Sequence, residues 1–185
     1  MTLFPELERI RREVEAVSVQ TQSLCRGLNE DQLAWRPAPG RWSIAENFLH
    51  LDLTIHTFIP IVDRAIEDAR RENLTSNGPF PLGVMGKLFV WYVEPPPILR
   101  LPAPKTLKPL LNGPASDVLP KFLGSQQSML QRLENANGLD INRVRITSPF
   151  ASYIRMSLFA LFSVWPAHER RHVAQAAHVR QQLRA

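Results

Sequence analysis

Apolar residues recur at alternating spacings of three and four along four separate stretches of this 185-residue chain. That spacing places them on one face of an α-helix, because each residue of a helix advances about 100° around its axis. The pattern therefore predicts four long amphipathic helices, each with one face turned to a shared core. Their predicted bounds are about residues 3–28, 43–72, 117–136 and 152–184.

Residues that typically start or interrupt a helix support these bounds. The run 36–41 contains two prolines and a glycine, and it interrupts a short helical turn before the second long helix. Ser43 and Glu46 then have the spacing of a capping box, in which each side chain binds the backbone amide of the other residue. Pro60 inside the second helix predicts a kink, and Pro166 predicts a kink or an interruption of the fourth helix.

A proline-rich connection covers about residues 79–115. One interpretation of its apolar insert, Leu82 to Val93, is a short helix. The aromatic residues Phe89, Trp91 and Tyr92 either close over a pocket or, as is commoner, pack under the long loop. No segment combines strand alternation with flanking hairpin turns, so the fold class is all-α. We expect one domain over residues 1–185, an antiparallel four-helix bundle with a long proline-rich crossover loop.

Composition and charge narrow the function classes. The formal net charge is +5, but the arginines are scattered and usually lie beside acids, so no compact basic patch for nucleic acid emerges. The single cysteine, Cys25, cannot form an intrachain disulfide, which fits a reducing compartment. Neither a secretion signal nor a stretch of about 18 uninterrupted apolar residues is present, so we expect a soluble cytoplasmic protein without a membrane partner.

Two histidines near the C-terminus continue the apolar stripe of the fourth helix. His168 and His172 are four residues apart, so their rings project from one helix face a turn apart, the geometry in which two imidazoles share one metal ion. His50, on the second helix, is a candidate third ligand, because it lies about 120° off the apolar stripe yet has apolar neighbours. The remaining histidines are predicted to be surface residues: His56 and His178.

The run from His168 to His172 also matches the H-E-x-x-H pattern of zinc proteases, and His178 falls where some of them have a third ligand. Those proteases need a glycine three residues after the second histidine to turn the chain back to the metal. Gln175 occupies that position here, and the surrounding residues predict unbroken helix. The protease hypothesis is therefore disfavoured.

Three segments together resemble the DinB-like superfamily of damage-inducible and bacillithiol-transferase-like proteins: residues 33–51, 145–150 and 168–175. The resemblance covers nearly the whole chain and implies an antiparallel four-helix bundle in which three histidines hold a divalent metal, such as zinc or nickel. The matching positions are His50, His168 and His172. Many relatives have another histidine where this chain has Arg171, and Pro166 is a second departure. Both departures concern the local helix geometry rather than the ligands.

Three neutral imidazoles leave a zinc or nickel ion at least one open coordination position, as in catalytic sites. The resemblance favours transfer of a low-molecular-weight thiol, held as thiolate, to a small-molecule electrophile. Glu46, one turn before His50, is a candidate proton acceptor for this reaction. The alternatives are a hydrolase that uses a metal-bound hydroxide and a non-enzymatic metal- or ligand-binding bundle. Glu46 and Gln175 each share a helix face with one histidine and are candidates to support it. A structural role explains each equally well, with Glu46 as the acid of the capping box and Gln175 as an ordinary polar residue of the helix. Such bundles also pair with themselves, so a homodimer is a further expectation.

Overall fold

The computed structural model describes residues 2–95 and 103–183 and is mainly helical. Its α-helices, in chain order, are α1 (Pro5–Cys25), α2 (Glu30–Ala34), α3 (Ile44–Arg71), α4 (Val84–Val93), α5 (Val118–Asn135) and α6 (Leu158–Gln182). Two antiparallel strands, β1 (Arg145–Ser148) and β2 (Ala151–Ser157), precede α6. Two single 3₁₀ turns lie between α4 and α5, at Lys105–Leu107 and Ala115–Asp117. An all-α fold class agrees with this helical content.

The four long helices enclose the core. Helix α3 packs against α5 and α6, and α1 packs against the same two helices. Each helix turns its apolar stripe inward, and full burial of one large apolar side chain contributes about 1.5–3 kcal/mol. The largest fully buried aromatic side chains come from α3, α5 and α6: Phe48, Phe122, Phe159 and Phe162.

The predicted capping box at the start of α3 is confirmed. The backbone amide of Glu46 donates to Ser43 Oγ at 3.1 Å, and the Ser43 amide donates to Glu46 Oε2 at 2.9 Å. These bonds satisfy two amides that the first helical turn leaves without partners. The box fixes the direction in which α3 leaves the preceding loop, and with it the position of the residues one and two turns later.

The hairpin β1–β2 corrects the sequence prediction, which had no strands and began the fourth helix at residue 152. Helix α6 begins at Leu158 instead, where Ser157 Oγ accepts a hydrogen bond from the Ala160 amide at 3.1 Å. The error has a physical cause, because Ile154 and Leu158 have helical spacing while the residues from Tyr153 to Met156 alternate between exposed and half-buried. Pairing with β1 decides in favour of the strand.

Two further predictions concern helix continuity. Helix α6 runs through Pro166 without a break, so of the two predicted alternatives the interruption is wrong and the kink stays a prediction. Helix α3 likewise continues past Pro60, where the predicted kink stays a prediction. The apolar insert in the proline-rich connection does form a helix, α4, which packs on α6. Within residues 2–95 and 103–183, no helix is both long and apolar enough to cross a membrane.

Candidate metal centre

Three histidine side chains converge between α3 and α6. His50 comes from α3, His168 and His172 come from α6, and one ring nitrogen of each lies within 4.8 Å of the corresponding nitrogens of the other two. The Nε2 atoms of His168 and His172 are 3.2 Å apart. Two nitrogens bound to one tetrahedral zinc ion lie about 3.3 Å apart, because each Zn–N bond is about 2.0–2.1 Å long. The spacing of this pair therefore fits one shared ion.

Hydrogen bonds orient two of the three rings. His172 Nδ1 lies 3.0 Å from Asn47 Oδ1, and the Asn47 amide nitrogen donates to the Ser43 carbonyl at 2.8 Å, which turns its oxygen toward the histidine. His50 Nδ1 lies 2.8 Å from the carbonyl oxygen of Leu107. Since both partners are acceptors, each Nδ1 carries the hydrogen and each neutral ring keeps its lone pair on Nε2. Metal-binding histidines are usually held in this way.

Trp42 forms one side of the cluster. Its ring centroid lies 4.9 Å from that of His50 and 5.7 Å from that of His172. The residue immediately precedes the cap of α3, so the same turn that starts the helix also places the indole against the two imidazoles. The indole supplies an apolar surface beside the rings.

Burial keeps the imidazoles neutral. His50 and His172 are buried, whereas His168 is half-buried and forms the more accessible side of the cluster. Burial lowers the pKa of His168 to about 3 and holds the pKa of His172 well below its usual value, with smaller contributions from neighbouring charges. Burial also lowers the pKa of His50, against the opposing effect of the Leu107 carbonyl. Protons therefore do not compete with a metal ion near neutral pH.

Glu46 lies one helical turn before His50 and is almost fully buried. Besides the capping bond, its carboxylate accepts hydrogen bonds from the guanidinium of Arg36, one of them from Nε at 2.8 Å. The carboxylate is thus paired with a cation at the start of α3. Gln175 is half-buried one turn beyond His172, and His56 and His178 are exposed, as predicted.

The glutamate of the H-E-x-x-H pattern points away from the histidines. Glu169 accepts hydrogen bonds from Trp165 Nε1 at 2.5 Å and from the amide nitrogen of Gln126 at 3.0 Å. Burial raises the pKa of Glu169 to about 8, so its carboxyl group is mainly protonated at neutral pH. Helix α6 also continues past His178 without the turn that those proteases need. Residues 168–178 therefore do not have the geometry of a zinc protease.

Sequence reasoning missed the partners that orient the rings. Asn47 had a usable signal, because it stands three residues before His50 on the same helix and so shares part of its face. Trp42 had a weaker signal in its position just before the capping box. The carbonyl of Leu107 had none, because it belongs to a distant 3₁₀ turn and its side-chain identity does not matter.

No curated protein and no solved structure gives a significant match to the chain. The family comparison does give a match, and the matched region contains all three histidines, the capping box of α3 and the hairpin before α6. A sequence model of the DinB superfamily matches residues 13–176, and the chain therefore belongs to the DinB superfamily.

Proposed function

We propose that this protein is a divalent-metal-dependent enzyme that transfers a low-molecular-weight thiol to an electrophilic small molecule. His50, His168 and His172 would be the metal ligands. The observation that carries the proposal is the convergence of three neutral imidazoles, two of which are fixed by oxygen acceptors on Nδ1. Membership of the DinB superfamily, whose members bind metals, supports the same assignment.

The donor set fits zinc or nickel, because imidazole nitrogen suits both ions and three protein ligands leave room for a substrate atom. A bound ion of this kind would hold a thiol as its thiolate at neutral pH. The sulfur would attack the electrophilic carbon, a carbon–sulfur bond would form, and the leaving group would depart with the electron pair of its broken bond. The half-buried His168 marks the side from which the substrates would reach the centre.

The role of Glu46 as the acceptor of the thiol proton stays a prediction. Its nearness to His50 in the chain supports the role, while its pairing with Arg36 and with the Ser43 amide supports a purely structural one. Replacement of Glu46 by Gln separates the two, because only a proton acceptor would change the pH dependence of turnover in a protein that still binds metal.

We also propose that the four long helices form one antiparallel four-helix bundle domain over residues 1–185, with the proline-rich connection as its crossover. The closed arrangement in which α1 and α3 both pack on α5 and α6 supports this architecture. Homodimer formation stays a prediction, and light scattering of the purified protein measures it directly.

The test is metal analysis of protein purified without a nickel column, followed by consumption of small thiols with monochlorobimane as electrophile. We expect about one equivalent of zinc or nickel and thiol-dependent turnover. Replacement of His168 by Ala should abolish both, whereas His178→Ala, a change to an exposed histidine on the same helix, should preserve both.

Each other outcome has a definite meaning. Metal retained by the His168→Ala protein would contradict the ligand assignment. Ester hydrolysis that needs no thiol would favour a hydrolase with the same three ligands. Bound metal without turnover of thiols or esters would favour a protein that binds metal or ligand without catalysis.

A further inference from the structure

Arg171 lies beside the histidine cluster and is almost fully buried. It follows His168 by three residues on α6, so the two side chains are neighbours on the helix surface. Its Nη1 donates to the backbone carbonyl of Tyr92 at 3.2 Å, and its guanidinium carbon lies 5.9 Å from the centroid of the Tyr92 ring. Because α4 packs on α6, this places a cation where α4 meets the helix that carries two of the histidines.

The Tyr92 side chain adds a second donor. Its hydroxyl is buried, and it has no hydrogen-bond partner among the residues that the structure describes. Buried hydroxyl groups in native proteins are paired as a rule. An acceptor from outside the described chain would satisfy this one, and the neighbouring guanidinium favours an acceptor that is negatively charged.

The charges around the histidine cluster also favour a negatively charged ligand. The charge of Arg171 is one of the causes that lower the pKa values of His168 and His172, so its field reaches both rings. The three imidazoles are neutral and would leave the charge of a divalent ion uncancelled.

We propose that the thiol substrate of this centre carries a carboxylate, and that Arg171 and the Tyr92 hydroxyl bind that carboxylate while the sulfur reaches the metal position. The inference rests on the proposed function and names its substrate class. Arginine binds carboxylates through charge-assisted hydrogen bonds, which are stronger than those between neutral groups. Arg171 would therefore be a specificity-determining residue rather than a metal ligand.

The test compares thiols that differ in charge. Protein loaded with cobalt(II), which gives a visible thiolate-to-metal absorption band, is titrated with 3-mercaptopropionate, 2-mercaptoethanol and cysteamine. Metal content is measured after each titration, so that removal of the ion by the thiol is detected. We expect 3-mercaptopropionate, the only carboxylate of the three, to bind at least tenfold more tightly than the neutral thiol, and cysteamine to bind most weakly.

Three variants assign the effect to residues. Arg171→Gln should bring the affinities for the carboxylate thiol and the neutral thiol to within about twofold, with unchanged cobalt content. Arg64→Gln removes the same charge from an exposed position on α3 and should leave the preference intact. Tyr92→Phe removes only the hydroxyl and should weaken binding of the carboxylate thiol a few-fold, which keeps the inference testable if the Arg171 variant does not fold.

Equal affinity for the carboxylate thiol and the neutral thiol in the unaltered protein would overturn the inference and leave the proposed function standing. A preference that survives both Arg171→Gln and Tyr92→Phe would overturn the assignment of these residues. If no thiol gives the absorption band, the proposed thiol chemistry fails. Calorimetry with propionate then decides separately whether Arg171 binds a carboxylate, and absence of binding overturns the inference as well.

Discussion

Replacement of Asn47 by Ala tests how the candidate metal centre is oriented. Asn47 is almost fully buried, accepts the hydrogen bond of His172 Nδ1 and donates to the Ser43 carbonyl. The substitution removes both bonds. The Ser43 carbonyl still accepts from the backbone amide of residue 47 at 3.2 Å, so the first turn of α3 should stay intact. The main effect should fall on His172, whose ring is no longer held in one tautomer.

The expected magnitude follows from the lost bond. Loss of a group that orients a metal-binding histidine typically weakens metal binding 10- to 100-fold, which is about 1.4–2.8 kcal/mol. The metal-free protein should also lose about 1–3 kcal/mol of unfolding free energy, because the buried Nδ1 of His172 is left without an acceptor. Replacement of Asn47 by Asp keeps an acceptor oxygen and should retain most of the affinity.

The assay is competition for zinc between the protein and a chromophoric chelator at pH 7.5. Asn137→Ala is the matched control, because the Asn137 amide also makes two hydrogen bonds, accepting from the Phe4 amide and donating to the Thr2 carbonyl, each at 3.0 Å. That variant should bind zinc as the unaltered protein does. A zinc dissociation constant for Asn47→Ala within threefold of the unaltered value would refute the view that this amide orients a ligand.

Four further predictions concern stability and use urea unfolding. Gly124→Ala should raise the free energy of unfolding by about 0.4–1 kcal/mol, because Gly124 lies inside α5 with open space around it. Gly86→Ala should instead lower the free energy of unfolding, because the new Cβ would lie 2.5 Å from Leu82 Cδ1 and 3.3 Å from Ala160 Cβ. Overpacking of this kind costs about 1–3 kcal/mol. Equal stabilisation by the Gly124 and Gly86 changes would contradict the α4–α6 contact. The metal-free protein should lose stability as the pH falls from about 6.5. The lowered pKa values of the three clustered histidines mean that the unfolded state binds up to three more protons than the folded state. Stability that is constant from pH 7 to 5 would contradict their burial as neutral rings. Glu169, whose pKa is raised to about 8, acts in the opposite sense and removes stability as the pH rises from about 4.5 to 8. Glu169→Gln should therefore steepen the histidine-dependent loss of stability below about pH 6.5 and abolish the decline between about pH 7 and 8, and an unchanged curve would contradict its burial as a protonated acid.

Much of the helical framework could be predicted from the chain alone. The three-and-four spacing of apolar residues located all four long helices, with errors of a few residues at most ends. The capping box of Ser43 and Glu46 fixed the start of α3, and the four-residue spacing of His168 and His172 placed both rings on one face of α6. These features depend on residues within one or two helical turns of each other, so local sequence determines them.

The hairpin shows where local pattern is insufficient. Residues 151–157 fit a helical spacing as well as strand alternation, and the pairing with β1 decided between the two. The sequence likewise did not determine whether the aromatic residues of α4 are buried. In the structure Trp91 is exposed while Tyr92 is half-buried near Arg171. Such choices depend on which other segment supplies the hydrogen bonds and the contact surface.

By itself, the sequence determined the helices and their buried faces, and it singled out three histidines as candidate metal ligands. Only the tertiary structure decided that the rings meet, because the rotation of α3 relative to α6 depends on how the whole core packs. It also supplied the atoms that orient them. Asn47 lies 125 residues from His172 in the chain, and the Leu107 carbonyl lies 57 residues from His50. Contacts across such separations follow from packing, and no local pattern encodes them.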